Sequence, residues 1–104
     1  MGLITKKQTL QELVEIASAK DIWIISDEVY SDFSYESSFE SILSINSDNV
    51  VCVRSLSKSG GLGGWRIGYC IGSEYLVSIM RDIQEYSFIC PTVASQYVAT
   101  GILP

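Results

Sequence analysis

One lysine, Lys58, lies in the segment SLSKSGGLGGWRIGY, followed by Gly60, Gly61, Gly63 and Gly64, with Arg66 eight residues after it. Ser55 and Ser57 precede the lysine. Hydroxyls and a guanidinium are the groups that hold a phosphate, since arginine presents a planar fork of donors matched to phosphate oxygens. An amine beside such a site is a nucleophile wherever desolvation or a neighbouring cation lowers its pKa. Arg66 and the loop around Lys58 could supply both effects. The glycines alone specify little. A Walker loop needs glycine directly before its Lys-Ser, and Ser57 stands there; the G-x-G-x-x-G fingerprint fails because Arg66 stands where its last glycine belongs. Upstream, Asp27, Glu28 and Tyr30 follow an apolar run, and they are the other groups placed for chemistry. Asp27 is open to two readings, a ligand-facing carboxylate or a cap for the next turn.

Composition narrows the choices. The 104 residues carry seven Lys and Arg against twelve Asp and Glu, a net charge of −5, which argues against a nucleic-acid footprint. There is no histidine, so Ser–His and Cys–His pairs and most zinc sites are excluded, and acid–base work falls to Lys, Tyr, Asp or Glu. Cys52, Cys70 and Cys90 lie far apart without metal-ligand spacing and read as reduced, mostly buried thiols. No metal site is expected. A hydrophobic fraction of 47% and a mean hydropathy of +0.25 point to one domain-sized folded unit, with strands buried on both faces or faces that meet more protein. No apolar run reaches bilayer-spanning length and no basic-then-apolar leader is seen, so a cytoplasmic location and no membrane partner are expected.

The elements that must position these groups read as α/β. Residues 5–20 have helical periodicity, with Thr5 and Gln8 at capping-box spacing and Leu10, Leu13, Val14 and Ala17 as a buried stripe. The run 22–26 suits a strand covered on both faces, which puts Asp27 and Tyr30 at its carboxyl end, where open α/β sheets bind ligands. Phe39, Ile42, Leu43 and Ile45 suggest one short helix, and Asp48-Asn49 a turn. Residues 50–54 form a second strand, parallel to the first through a helix-containing crossover. Residues 65–71 form a third, antiparallel to the second because the loop between them is short. Ser73 is placed to cap a helix running to about Ile89, with Leu76, Ile79, Met80, Ile83 and Tyr86 as its core stripe. Pro91 stops it. Residues 92–99 start another helix, read as cut off near Gly101. Trp23 and Trp65 are expected to pack.

At this point the sequence resembles the fold-type I, class I/II aminotransferases, of the aspartate aminotransferase kind. SLSKSGGLGGWRIGY looks like that family's Schiff-base segment and SDEVYSDFSY like its Asp-x-x-Tyr segment, in the right order, and the similarity covers nearly the whole chain. Gly2 looks like the glycine closing the family's Asn-Pro-Thr-Gly turn. The resemblance implies part of the three-layer αβα large domain, with 1–104 as a partial domain for pyridoxal 5′-phosphate. Lys58 would form the Schiff base and act as the base moving the substrate's proton. Asp27 would pair with the pyridinium nitrogen, Tyr30 would bond the ring's phenolic oxygen, and Ser55, Arg66 and, less centrally, Ser57 would hold the phosphate. The implied parent enzyme transfers an amino group between an amino acid and a 2-oxo acid, and is a homodimer.

Departures from the family pattern accompany the match. Gly60 and Gly63 stand where the family often has an aromatic residue and a proline, which should loosen the loop. The family's asparagine, ring-stacking aromatic, upstream phosphate loop, carboxylate-binding arginine and small domain have no counterpart in the 104 residues. A catalytically incompetent fragment with at most cofactor binding is therefore the alternative expectation. Another fold-type I enzyme, such as a carbon–sulfur lyase, is also open, although Tyr30 leans toward transamination.

Overall fold

A computed structural model describes residues 4–35, 38–45 and 47–103; the expected turn at Gly2 lies outside them. The first helix, α1, spans Lys7–Ala19 and buries Leu10, Val14 and Ala17. Those positions fall at i, i+4 and i+7, a narrow stripe on one helix face. Leu13 lies on the flank and is exposed, contrary to the sequence expectation. The capping box is also absent. Lys6 occupies the cap without a side-chain bond, and Gln8 instead donates along the helix to Glu12 Oε1 at 3.0 Å.

Strand β1 covers Ile24–Asp27, two residues later than its start in the apolar run. The Ile22 amide still closes the end of α1 by bonding Ala17 O, and Asp21 turns the chain with φ 54°. Pairing begins when Ile24 N reaches Asn49 O. A 3-10 turn at Ile42–Ser44 stands where the short helix was expected. Strand β2, Val50–Ser55, lies between β1 and β3, Gly68–Gly72, in a three-stranded sheet. β1 is parallel to β2 and β3 is antiparallel to it, both as expected, although the described residues of the β1–β2 crossover carry a 3-10 turn rather than the expected helix. β3 starts three residues later than expected because Gly63–Trp65 is a 3-10 turn and Arg66 is left-handed, φ 51°. Glycine at 68 is required by the close approach of β2: a Cβ there would lie 2.7 Å from Arg54 O.

Alternation along the strands separates two faces. Leu10 and Val14 of α1 pack with Ile42, Val50 and Cys52, and with half-buried Ile24, on one face. Helix α2, Glu74–Ser87, lies toward the other, where Cys70, Val77 and Met80 line one shallow cavity. Helix α3, Val93–Thr100, packs Ala99 against Leu56 and Ile67, beside Leu62 and Tyr69. The result is an α/β arrangement with helices on both sheet faces. None of the described residues of α2 is buried, so its amphipathic stripe is not the core stripe expected; Tyr86 is 93% exposed. The periodicity was sound, but a three-stranded sheet covers only part of that helix face. Ile25, too, is exposed on β1, which is not covered on both sides.

Ser73 does stand at the cap of α2, but its hydroxyl donates to Asp48 O at 3.0 Å rather than capping. Thr92 caps α3, its Oγ1 accepting from Ser95 N at 3.2 Å. α3 ends at Thr100, its last turn closing through Gly101 N to Val98 O and Ile102 N to Ala99 O. Trp23 and Trp65 are half-exposed rather than packed. Of the thiols, Cys52 is buried, Cys70 half-buried and Cys90 exposed. Among the described residues no group of His, Cys, Asp and Glu could hold a metal, and no helix is long and apolar enough to cross a membrane.

Candidate functional site

β1 and β2 run in the same direction, so their carboxyl ends share one edge of the sheet. Asp27 is the last residue of β1 and pairs in register with Val53. Ser55 is the last residue of β2 and lies opposite Gly68, the first of β3. Asp27, Val53 and Ser55 therefore point to the same face, while Glu28, Cys52 and Arg54 belong to the opposite one. Because β3 is antiparallel, Arg66 enters it at this same edge. The sheet topology thus gathers Asp27, Tyr30, Ser55, Ser57, Lys58 and Arg66 around one end of the strands, although they span 40 positions of sequence.

Lys58 opens a tight turn in which Gly61 N bonds Lys58 O at 3.3 Å. Gly61 is the loop glycine in the left-handed region, φ 64°. The Leu62 amide returns to Leu56 O at 3.0 Å, closing the loop on itself. The Lys58 amine stands 5.7 Å from the centroid of the Tyr30 ring, within cation–π reach. Tyr30 in turn contacts Phe33 edge-to-face at 6.3 Å. Lys58 forms no ion pair among the described residues and is exposed. The desolvation expected around it is therefore not supplied by this chain's described residues.

The remaining groups are held by local bonds. Asp27 Oδ1 accepts from Val29 N at 3.1 Å, so the turn-capping reading of Asp27 describes what it does here, with its carboxylate still exposed. Ser55 Oγ accepts from Ser57 N at 3.1 Å, which bends the chain out of β2 toward Lys58. Arg66 is exposed, and its Nη1 donates to Gly63 O at 3.2 Å, one of its five donors.

The opposite face holds a polar network whose arginine the sequence reading passed over. Glu28 is 4% exposed. It accepts from Arg54 Nη2 at 2.8 Å, Ser41 Oγ at 2.8 Å and Ile42 N at 2.9 Å. Burial pushes the Glu28 carboxyl up, but the bonds from Ile42, Ser41 and Arg54 outweigh it and leave the group below its ordinary value of 4.5. Burial and then the Glu28 carboxylate push the Cys52 thiol up to about 11. For Arg54, burial alone would lower the pKa, but the bond to Glu28 raises it above the usual arginine value. Glu28 thus serves structure, in line with the family resemblance, which implies no catalytic role for it. It ties the end of β1 to β2 and to the Ile42–Ser44 turn, and so fixes the neighbouring Asp27. The only sign of Arg54 in the sequence is a charge inside a β-branched run.

Comparison with known proteins agrees with this layout. The family model "Aminotransferase class I and II" matches residues 1–103. An aspartate aminotransferase of Thermotoga maritima is 36% identical over 104 residues, covering 98% of this chain and 28% of the relative. One from Bacillus sp. strain YM-2 is 32% identical over 102 residues, covering 94% of this chain and 26% of the relative. The crystal structure of the Thermotoga enzyme superposes with a TM-score of 0.89 at 36% identity, over 95% of this chain and 27% of that one. A PLP-dependent aminotransferase of Streptococcus suis gives 0.83 at 40% identity, over 95% and 26%. This chain spans about a quarter of the length of these relatives. With the family model matching nearly every residue, and the sheet and helices matching its solved members, the chain belongs to the class I and II aminotransferases.

Proposed function

We propose that this chain carries the cofactor-attachment half of an aminotransferase site for pyridoxal 5′-phosphate, with Lys58 as the attachment point. The observation that carries the reading is the gathering of an amine, a phenol, a carboxylate, two hydroxyls and a guanidinium at one strand edge, with Lys58 Nζ 5.7 Å from the Tyr30 ring. That donor set fits a group with an aldehyde, a basic ring nitrogen and a phosphate. Ser55, Ser57 and Arg66 would hold the phosphate, Asp27 the ring nitrogen and Tyr30 the phenolic oxygen. When bound, the cofactor supplies an electron sink for bond breaking at an amino acid's Cα.

The chain's own residues do the rest. Asp27, anchored by Val29 N, would pair with the ring nitrogen of the cofactor and favour its protonated form. Lys58 would hold and move a proton at Nζ, and the Tyr30 hydroxyl would bond the ring's phenolic oxygen. The partners in this reading are an amino acid and a 2-oxo acid, and the relatives named aspartate aminotransferase point to an acidic one. The whole enzyme acts in the cytoplasm as a homodimer. The 104 residues form part of its large domain. Lys58 is exposed and Tyr30 is 65% exposed, so the described residues do not exclude water from the site. Alone, the chain therefore binds the cofactor weakly and does not turn over.

The test is direct. The chain is mixed with pyridoxal 5′-phosphate and reduced with borohydride, and the adduct is mapped by mass spectrometry. An adduct concentrated on Lys58 over the other lysines is expected. Labelling scattered over Lys6, Lys7 and Lys20 would remove the basis for a formed site, and transamination by the chain alone would refute the claim that it needs further protein.

A further inference from the structure

The backbone of Arg66 occupies a conformation that an L-residue adopts at a cost, φ 51° and ψ 50°. Such a conformation persists only where the surroundings over-determine it, and here both flanking carbonyls are pinned. Ile67 O accepts from Leu56 N at 3.3 Å. On the other side, Trp65 O accepts from the Ser95 hydroxyl of α3 at 2.8 Å. Ser95 is 3% exposed, so water does not compete for that bond. The donor directions form a chain. Ser95 spends its one proton on Trp65 O, so the Thr92 hydroxyl, 2.8 Å away, donates to Ser95 Oγ. Beside the bond, Ala99 of α3 packs with Leu56 and Ile67, which bracket the Lys58 loop.

We propose that Ser95 is a positioning residue for the cofactor phosphate, holding the Trp65 carbonyl so that Arg66 keeps its left-handed conformation where the chain enters β3. This rests on the reading of Arg66 as a phosphate ligand. Replacing Ser95 with alanine leaves the Trp65 carbonyl without its donor, and the cheapest relief is for residues 65–66 to relax out of the left-handed region. The guanidinium is then displaced, while Lys58, whose turn is closed separately by Gly61 N on Lys58 O, stays.

The readout is a ratio: the concentration of pyridoxal 5′-phosphate giving half-maximal reducible adduct on Lys58, against that of pyridoxal, which lacks the phosphate. A general loss of stability lowers labelling by both probes, whereas a displaced Arg66 lowers only the phosphate preference. Ser95→Ala is expected to reduce the preference about tenfold, the scale of one weakened bond to a charged group. Thr92→Ala, which removes the α3 cap and leaves the Ser95 proton free to reach Trp65 O, is expected to keep the preference while lowering the unfolding midpoint. Ser95→Thr retains the hydroxyl and is expected to retain the preference; its loss in that variant overturns the proposal. If Arg66→Gln loses the preference and Ser95→Ala keeps it, Ser95 does not position Arg66, and the reading of Arg66 stands. If Arg66→Gln also keeps it, Arg66 does not hold the phosphate, and both readings fall.

Discussion

Replacing Glu28 with glutamine should be the most damaging single-charge change among the described residues. The carboxylate is 4% exposed and accepts from Arg54, Ser41 and Ile42. Glutamine keeps the shape but offers an amide donor to partners that are themselves donors. It also leaves the Arg54 guanidinium uncompensated, with Nε already buried and unpaired. Removing one member of a buried pair costs about 3–5 kcal/mol, because the other charge stays desolvated. The Arg54 side chain is 28% exposed, so water recovers part of that charge and the lower end, about 3 kcal/mol, applies. For a domain of this size each kcal/mol shifts the midpoint by about 4–8 °C, so the expected loss is roughly 12–24 °C. The assay is urea and thermal unfolding of the wild type, Glu28→Gln, Arg54→Met and the double variant. With the arginine gone, the glutamine should be far less harmful, giving a coupling energy above about 1.5 kcal/mol. A Glu28→Gln cost below about 1 kcal/mol, or coupling near zero, would mean that the pair behaves as a surface ion pair and that the network does not hold the end of β1.

The same carboxylate sets the acid limb of stability. Its folded pKa lies below its ordinary value of 4.5, so in that window the unfolded chain binds more protons and stability rises with pH. The Glu28 contribution is full above about pH 4.5 and is lost as pH falls through the folded value; unfolding midpoints measured from pH 6 to 3 should fall less steeply in Glu28→Gln than in wild type. The three thiols should react in order of exposure: Cys90 first, Cys70 next, and Cys52, buried and pushed up to about 11, only on unfolding. Timed iodoacetamide labelling with peptide mapping checks this, and early modification of Cys52 would contradict it. Gly68→Ala should cost about 1–3 kcal/mol, since its Cβ meets the Arg54 carbonyl at 2.7 Å, whereas Gly64→Ala meets nothing within 4 Å and should be near neutral. Urea midpoints of the two variants give the comparison.

The sequence by itself carried the local chemistry. Lys58 in its glycine loop, Asp27 and Tyr30 after an apolar run, and the parallel and antiparallel strand pairs were legible, because composition, periodicity and connection length are properties of short stretches. The element edges were not. β1 starts at Ile24 rather than at residue 22 because the Ile22 amide is taken by α1, and β3 starts at Gly68 because Arg66 turns left-handed. Both depend on where a backbone group finds its partner. Only the tertiary structure decided that Asp27 and Ser55 share a face while Glu28 and Arg54 form a buried pair behind them, since that follows from register between strands 26 positions apart. It also decided how much of each apolar stripe is covered. Periodicity gives the direction of the stripe on α2, but burial depends on the width of the sheet beneath it, which no stretch of α2 encodes. For Lys58 the division is the same: its residue type and loop suggest an attachment point, while the sheet edge that brings Tyr30, Ser55 and Arg66 around it exists only once the strands have paired.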